Sequence, residues 1–286
     1  MTKAPKVSVI VRTFNRPQML RRALRSIAEQ TWKEREAVVV NDGGTDVAPV
    51  LAEFAGRLEI VYLNFGADEK PGRCLAATKG IEASSGEWIA YLDDDDIYYP
   101  DHLASLVEAA ASSGALILYS DGMVGEEVKG DAPGEYRLVK VRPGASEEFS
   151  RARFYSGCYI HLSTFMHHRS IFEKHGGFDP ELPVLEDLDL FFRYANDHVF
   201  HHVKKFTTQY HLRNDDSNAV TGMRREFLET KHLLARKYLH TAVQDMMTFI
   251  EEGRFRLLET IDQIESLTGR VAAIEERLGR LEERRP

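Results

Sequence analysis

The sequence has only two cysteines, Cys74 and Cys158, in 286 residues. Two thiols make neither a disulfide framework nor a four-ligand zinc site, and such scarcity points to a reducing compartment. Basic charge is also short. The 37 Lys and Arg stand against 45 Asp and Glu, a net −8 at pH 7, which is the reverse of what binding to nucleic-acid phosphates requires. No run reaches the roughly eighteen apolar residues of a membrane span, and the first residues carry no hydrophobic signal core. No G-x-x-x-x-G-K-[ST] occurs, so P-loop chemistry is excluded. Twenty glycines and ten prolines are too few for a collagenous or low-complexity chain. What remains, 43% hydrophobic and 29% charged, reads as a cytosolic globular protein of one large domain plus an appendage.

Strand and helix patterns alternate through the first half. Val7 to Val11 is a β-branched run of the kind buried on both faces of a parallel sheet. Asn15 is placed to cap the next helix, with Arg16-Pro17 at its first positions and Leu20, Ala23, Leu24 and Ile27 on one apolar face. Further strands are expected at Ala37 to Val40, Leu58 to Leu63, Trp88 to Leu92 and Ala115 to Tyr119, with helices at Pro71 to Ser84 and Pro100 to Ser112. Repeats of this length predict an α/β fold, a mostly parallel sheet flanked by helices. Met123 to Ser150 is irregular, a loop or inserted hairpin around one strand, Tyr136 to Val141. A helix at Glu186 to Ala195 and a strand at Phe200 to Tyr210 complete a catalytic domain over 1–222.

Residues 223–286 read as a helical extension ending in a coiled coil at about 257–284. Ile264, Leu267, Val271, Ile274, Leu278 and Leu281 alternate by three and four residues, an a/d seam. Arg270, Arg277 and Arg284 fall at g, and Glu275 and Glu282 at e, so Arg270–Glu275 and Arg277–Glu282 can pair between parallel helices. Gly253 and Gly269 each weaken the helix by about 1 kcal/mol. The expectation is a parallel homodimer or homotrimer.

Asp93-Asp94-Asp95-Asp96 directly follows an apolar strand, and open α/β sheets bind ligands at the carboxyl ends of their strands. Two carboxylates ~4 Å apart at an effective dielectric of ~20 repel by roughly 4 kcal/mol, so the cluster calls for water or a cation. Its oxygens suit Mg²⁺ or Mn²⁺ sharing a phosphate, whereas a helix cap would need one aspartate and not four. Asp42 ends a second strand near Thr13, and a carboxylate there can accept the imide N–H of a pyrimidine ring, with Phe14 to pack on it. Alone, Asp42 would read as an Asx turn. Glu186-Asp187 opens an apolar-periodic helix, where dipole stabilisation of 0.3–1 kcal/mol is about all a structural role needs; either carboxylate could also serve as a general base. His211 follows a strand and suits a metal or a phosphate, and Arg73 could meet a phosphate at a helix N-terminus. Arg21, Arg22 and Arg25 form a basic face that is either solvated or turned to an anionic membrane surface at the inner face of the membrane. His167, His168, His198, His201 and His202 receive no role.

Five segments in order (Val7 to Arg16, Val40 to Asp46, Gly86 to Asp96, Gly176 to Asp179 and Glu186-Asp187) resemble family 2 glycosyltransferases, inverting enzymes of the GT-A fold. The resemblance spans roughly residues 5 to 215. It implies that Asp42 holds the nucleotide base, with Thr13 and Phe14 lining its pocket. Asp93 and Asp94 would face the ribose, and Asp95 and His211 would hold a Mn²⁺ or Mg²⁺ ion on the diphosphate. Asp187 would be the catalytic base with Glu186 beside it. Arg12 stands where many relatives carry Pro, and Ala77-Thr78 replaces a common Arg–Asn pair, although Gly72-Arg73 resembles a variant in other members.

The function so implied is a metal-dependent inverting transfer of a sugar from a UDP-, dTDP- or GDP-linked donor to a hydroxyl of a glycan or lipid-linked acceptor. A catalytically inactive oligomeric scaffold is the alternative outside enzymology. A sugar nucleotidyltransferase would need a glycine-rich loop after the first strand, where this chain reads Arg12-Thr-Phe-Asn-Arg-Pro17.

Overall fold

The computed structural model describes residues 4–66, 69–130, 135–213, 215, 223–241, 243–245, 247–248, 250–251 and 253–254. In chain order the elements are β1 (Val7–Thr13), α1 (Pro17–Ala28), β2 (Arg35–Asp42), α2 (Ala48–Ala52), β3 (Glu59–Phe65), α3 (Gly72–Ala83), β4 (Trp88–Tyr91), β5 (Ile97–Tyr98), α4 (His102–Ser113) and β6 (Ile117–Lys129). There follow β7 (Tyr136–Pro143), α5 (Arg151–Ser156), β8 (Phe165–His168), α6 (Arg169–His175), α7 (Glu186–Asp197) and β9 (His201–Arg213). The sheet order is β3-β2-β1-β4-β8-β6-β9-β5, with β7 paired to β6.

β3, β2, β1 and β4 are parallel, and β6 is parallel to β9. β8 runs antiparallel between β4 and β6. It enters the sheet after α5 and a single 3-10 turn at Leu162–Thr164. The irregular stretch after Met123 resolves into a long hairpin. β6 continues to Lys129 because its edges are paired, to β7 as far as Lys129 and to β9 as far as Glu127, and those ladders outweigh the poor strand propensity of Gly122 and Gly125.

Asn15 does not cap α1. It takes a left-handed conformation (φ 57°) and its Oδ1 accepts from the Thr45 backbone and hydroxyl, leaving Arg16 as the N-cap with Pro17 behind it. Apolar side chains cover both faces of the sheet. Val9, Val11, Leu20, Leu24 and Leu103 lie on one side, and Ile10, Val38, Ile81, Phe165 and Phe191 on the other. Gly86 lets the turn into β4 press on β1: a Cβ there would lie 2.6 Å from the Ser8 backbone nitrogen and 2.9 Å from the Lys6 carbonyl. Neither backbone atom can yield, so Gly86→Ala is expected to cost about 1–3 kcal/mol, read as a lower urea midpoint at unchanged m-value.

Where the sequence places a boundary after residue 222, the helix over 224–238 packs into the sheet's own compact unit, which ends at Tyr238. Asp189 of α7 explains this. It is fully buried and must be satisfied, and it accepts from Lys237 and the Tyr238 hydroxyl, each at 2.8 Å, and from Arg193 at 2.8 Å. The described residues of the second unit, Leu239–Pro286, are helical. The coiled coil expected at about 257–284 lies outside the described residues. Among the described residues no helix is long and apolar enough to cross a membrane.

Candidate active site

Because β2, β1 and β4 are neighbouring parallel strands, their carboxyl ends open on one edge of the sheet. A cleft of about 550 Å³ lies there. It gathers every residue singled out in the sequence: Thr13, Phe14, Asp42, Arg73, Asp93, Asp94, Asp95, Glu186, Asp187 and His211. Asp42 closes β2 and accepts from the Gly72 backbone N–H at 2.9 Å; partial burial raises its proton affinity. The turn behind it needs glycine, since a Cβ on Gly44 would sit 2.8 Å from the Asn15 nitrogen. Phe14 is 45% exposed, an uncovered ring with the Lys70 ammonium 5.8 Å from its centre.

The four aspartates face four different sets of partners. Asp93 meets Arg12 at 3.1 Å. Asp94 accepts from the Thr13 hydroxyl at 2.8 Å and from Arg16 at 3.3 Å. Burial, and then the neighbouring Asp95 charge, push it up to about 7. Asp95 pairs with Arg213 and, at 3.2 Å, with Arg16; against its own burial, these cations hold it below the usual carboxylate range. Asp96 accepts from the Ser163 hydroxyl at 2.6 Å and the His211 backbone N–H at 3.0 Å, and its burial raises it. Repulsion within the run is thus relieved in part by guanidinium groups. Arg22 joins them by pairing with Glu127 and donating to the Asp95 carbonyl at 2.6 Å, while Arg213 also reaches Glu127 at 3.4 Å.

Asp95 and His211, the expected metal ligands, are engaged, as are Asp93 with Arg12 and Asp96 with Ser163. His211 Nδ1 lies 3.5 Å from Arg22, and its Nε2 lies 2.8 Å from the Gln209 amide nitrogen. A different trio has ligand atoms mutually within 4.8 Å: Asp93, Asp96 and His161. Two carboxylate oxygens and an imidazole nitrogen make a donor set that fits Mn²⁺. His161 stacks on Tyr210, ring centres 4.2 Å apart and nearly parallel.

Opposite the aspartates, α7 begins with Glu186 and Asp187, preceded by Leu185 in a left-handed conformation at φ 59°. For a leucine this costs about 1–2 kcal/mol, which the surrounding contacts must offset. Glu186 pairs with Arg12 at 2.8 Å and Arg73 at 3.4 Å, and although burial opposes it, these cations keep Glu186 ionised. Among the described residues Asp187 accepts only its neighbour Leu188's N–H (2.8 Å); burial and the Glu186 charge push it up to about 6. A carboxyl tuned to that range in a cleft suits a general base near neutral pH.

Arg12, Arg16, Arg213, Glu127 and His161 were not foreseen as site residues. For Arg213 a signal existed, because it lies two residues after His211 on a strand and so shares its face. Arg16 reads as a helix start and Arg12 as an oddity, because charge pairing across 78 or more residues leaves no mark in local pattern.

Residues 8–176 match the family model for glycosyl transferase family 2. The uncharacterized glycosyltransferase YwdF of Bacillus subtilis is 28% identical over 224 residues, 77% of this chain and 80% of that protein. The putative glycosyltransferase EpsH of the same organism is 27% identical over 246 residues, 80% of this chain and 66% of its own length. In three dimensions the chain resembles the S. aureus TarS 1-349 structure, with TM-score 0.63 and 20% identity over 86% of this chain and 70% of that one. A TarS structure in complex with UDP-GlcNAc gives TM-score 0.57 at 20% identity, covering 73% and 59%. The curled mixed sheet with flanking helices is thus the GT-A architecture, and the sequence match extends over more than half the chain: it belongs to glycosyl transferase family 2.

Proposed function

We propose that the chain transfers a sugar from a nucleoside-diphosphate donor, UDP-linked in the first instance, to a hydroxyl of a glycan or lipid-linked acceptor, with inversion. The observation that carries this is one cleft in which Thr13, Asp42 and Asp93 stand at three adjacent strand ends and Asp187 stands opposite them. The UDP-GlcNAc complex of the TarS structure supports a donor of that class. Asp42 and Phe14 would hold the base, and Asp93 and Asp94 the ribose side. Asp187 would take the acceptor's hydroxyl proton while its oxygen attacks the anomeric carbon. The bond to the diphosphate oxygen breaks on the opposite face, and the electron pair leaves with the diphosphate. A Mn²⁺ or Mg²⁺ ion held at Asp93, Asp96 and His161, or at Asp95 and His211 as the family resemblance implies, would supply charge neutralisation for the leaving diphosphate.

Release of nucleoside diphosphate across a donor panel tests the reading. Turnover with UDP-GlcNAc or a related UDP-sugar is expected in Mn²⁺, with loss after chelation. UDP with Mn²⁺ at about 100 times its Kd should stabilise the fold by about 2.7 kcal/mol in a thermal melt. The absence of both binding and turnover with every nucleoside diphosphate would remove the proposal.

Self-association belongs to the same proposal. Leu239, Val243, Met247 and Ile250 are all about half exposed at spacings of four, four and three. Val243 and Ile250 precede Ile264 by three and two heptads, so they extend the a positions of the expected seam upstream. Light scattering should give a dimer or trimer for the full chain and a monomer for residues 1–238; the same number of protomers in both would refute the tail's role.

A further inference from the structure

Four elements meet on the side chain of Arg12, at the end of β1. One guanidinium nitrogen lies 2.8 Å from Glu186 at the start of α7 and donates to the Arg73 carbonyl of α3 at 3.2 Å. Another lies 3.1 Å from Asp93 after β4, and the guanidinium carbon is 5.8 Å from the centre of the Phe178 ring. The side chain is only 13% exposed. A guanidinium is planar with its donors at set directions, so two carboxylates on one guanidinium are held at a defined spacing; a lysine ammonium imposes no such geometry.

What it holds requires holding. Leu185 precedes Glu186 at φ 59°, and no side chain caps α7. A leucine remains left-handed only where its surroundings over-determine it. The contacts of Glu186 with Arg12 and Arg73 act at that turn, and Asp187 is the next residue.

We propose that Arg12 is a positioning residue, which clamps Glu186 and Asp93 on one guanidinium and thereby sets the distance between Asp187 on α7 and the strand end facing the donor. The inference rests on the reading of this cleft as the transfer site. Arg12 touches neither reacting atom in this scheme; it acts through the two carboxylates.

The test uses the full chain with Arg12→Gln, Arg12→Lys and the double change Arg12→Gln/Glu186→Gln, which strands no unpaired Glu186. Thermal melts identify the variants that fold. On the donor that the wild type turns over, Arg12→Gln should lower kcat about 100-fold while KM and UDP affinity change by no more than about threefold. Arg12→Lys should recover about tenfold of that loss, and the double variant should lose no more than Arg12→Gln, because the pair acts as a unit. Amide exchange over 185–189 should quicken in Arg12→Gln. Unchanged kcat in any folded variant lacking Arg12, complete rescue by lysine, or UDP affinity falling in step with kcat would overturn the proposal. The exchange measurement needs no donor. Unaltered exchange over 185–189 refutes the clamp by itself, whereas faster exchange in a chain whose wild type turns over no donor sustains the clamp and refutes only the transfer reading.

Discussion

Asp187→Asn is expected to lower kcat by about three orders of magnitude while UDP affinity holds, because a positioned general base contributes about 10²–10⁴-fold and asparagine cannot accept the proton. The wild-type pH profile should carry the same residue's signature. Burial and the Glu186 charge raise Asp187 to about 6, so kcat/KM should climb as pH rises through that value and level off above it. Stability should respond in the opposite direction. A carboxyl whose proton affinity is raised by folding imposes a cost above its folded pKa, where it must ionise in the cleft, and none below about 4, where it is protonated in both states. Asp187→Asn is therefore expected to stabilise the fold at pH 8, by on the order of 2 kcal/mol, and to change little at pH 4. A gain in stability accompanied by loss of turnover is the mark of a strained functional group. Full activity in the asparagine variant would remove Asp187 from the role.

The second large effect concerns Arg213. Its side chain is 1% exposed and it pairs with both Asp95 and Glu127, with the Tyr136 ring 5.1 Å away. Removing one member of a buried ion pair leaves a charge without compensation, at a cost of about 3–5 kcal/mol. Arg213→Ala should therefore lower the thermal midpoint by about 10 °C in a chain of this size. Arg16 and Arg22 would remain as cations near the aspartates, but their side chains are each 35% exposed and cannot fill the same buried position. Replacing Arg213 by Met together with Glu127 by Gln should lose less than the alanine change alone, because fewer charges are stranded. The pairing also has a pH sense. Asp95 is held below its ordinary range, so its stabilisation is present above about pH 4 and disappears as pH falls further. A loss under about 1 kcal/mol in Arg213→Ala would show that the remaining arginines suffice.

The site was legible to an uneven degree, and the unevenness has a cause. Asp42, Asp93 and Asp187 were visible because each follows or begins a strongly patterned element, and parallel strands bring such ends together. The partners of the aspartates were not visible. Arg12 reaches Glu186 across 174 positions and Arg213 reaches Asp95 across 118, and no local periodicity records a contact of that range. For the same reason the acidic run looked like one metal-gripping tetrad, whereas its members turn to Arg12, to Thr13 and Arg16, to Arg213, and to Ser163. Asn15 shows the converse: a good capping residue by type, it turned to Thr45 because Pro17 already suits the helix start.

By itself the sequence determined the α/β class, the order of the longer strands and helices in the first half, though not the short α2 and β5, and which carboxylates end them. Those properties depend on side-chain periodicity and backbone preference over a few residues. Only the tertiary structure decided that β8 runs against its neighbours, that the helix over 224–238 docks on Asp189, and which arginine neutralises which aspartate. The direction of β8 depends on its ladders with β4 and β6, strands distant in the sequence; the other two outcomes depend on the desolvation of charges brought together from distant parts of the chain, and a buried charge selects its partner only once the fold has surrounded it.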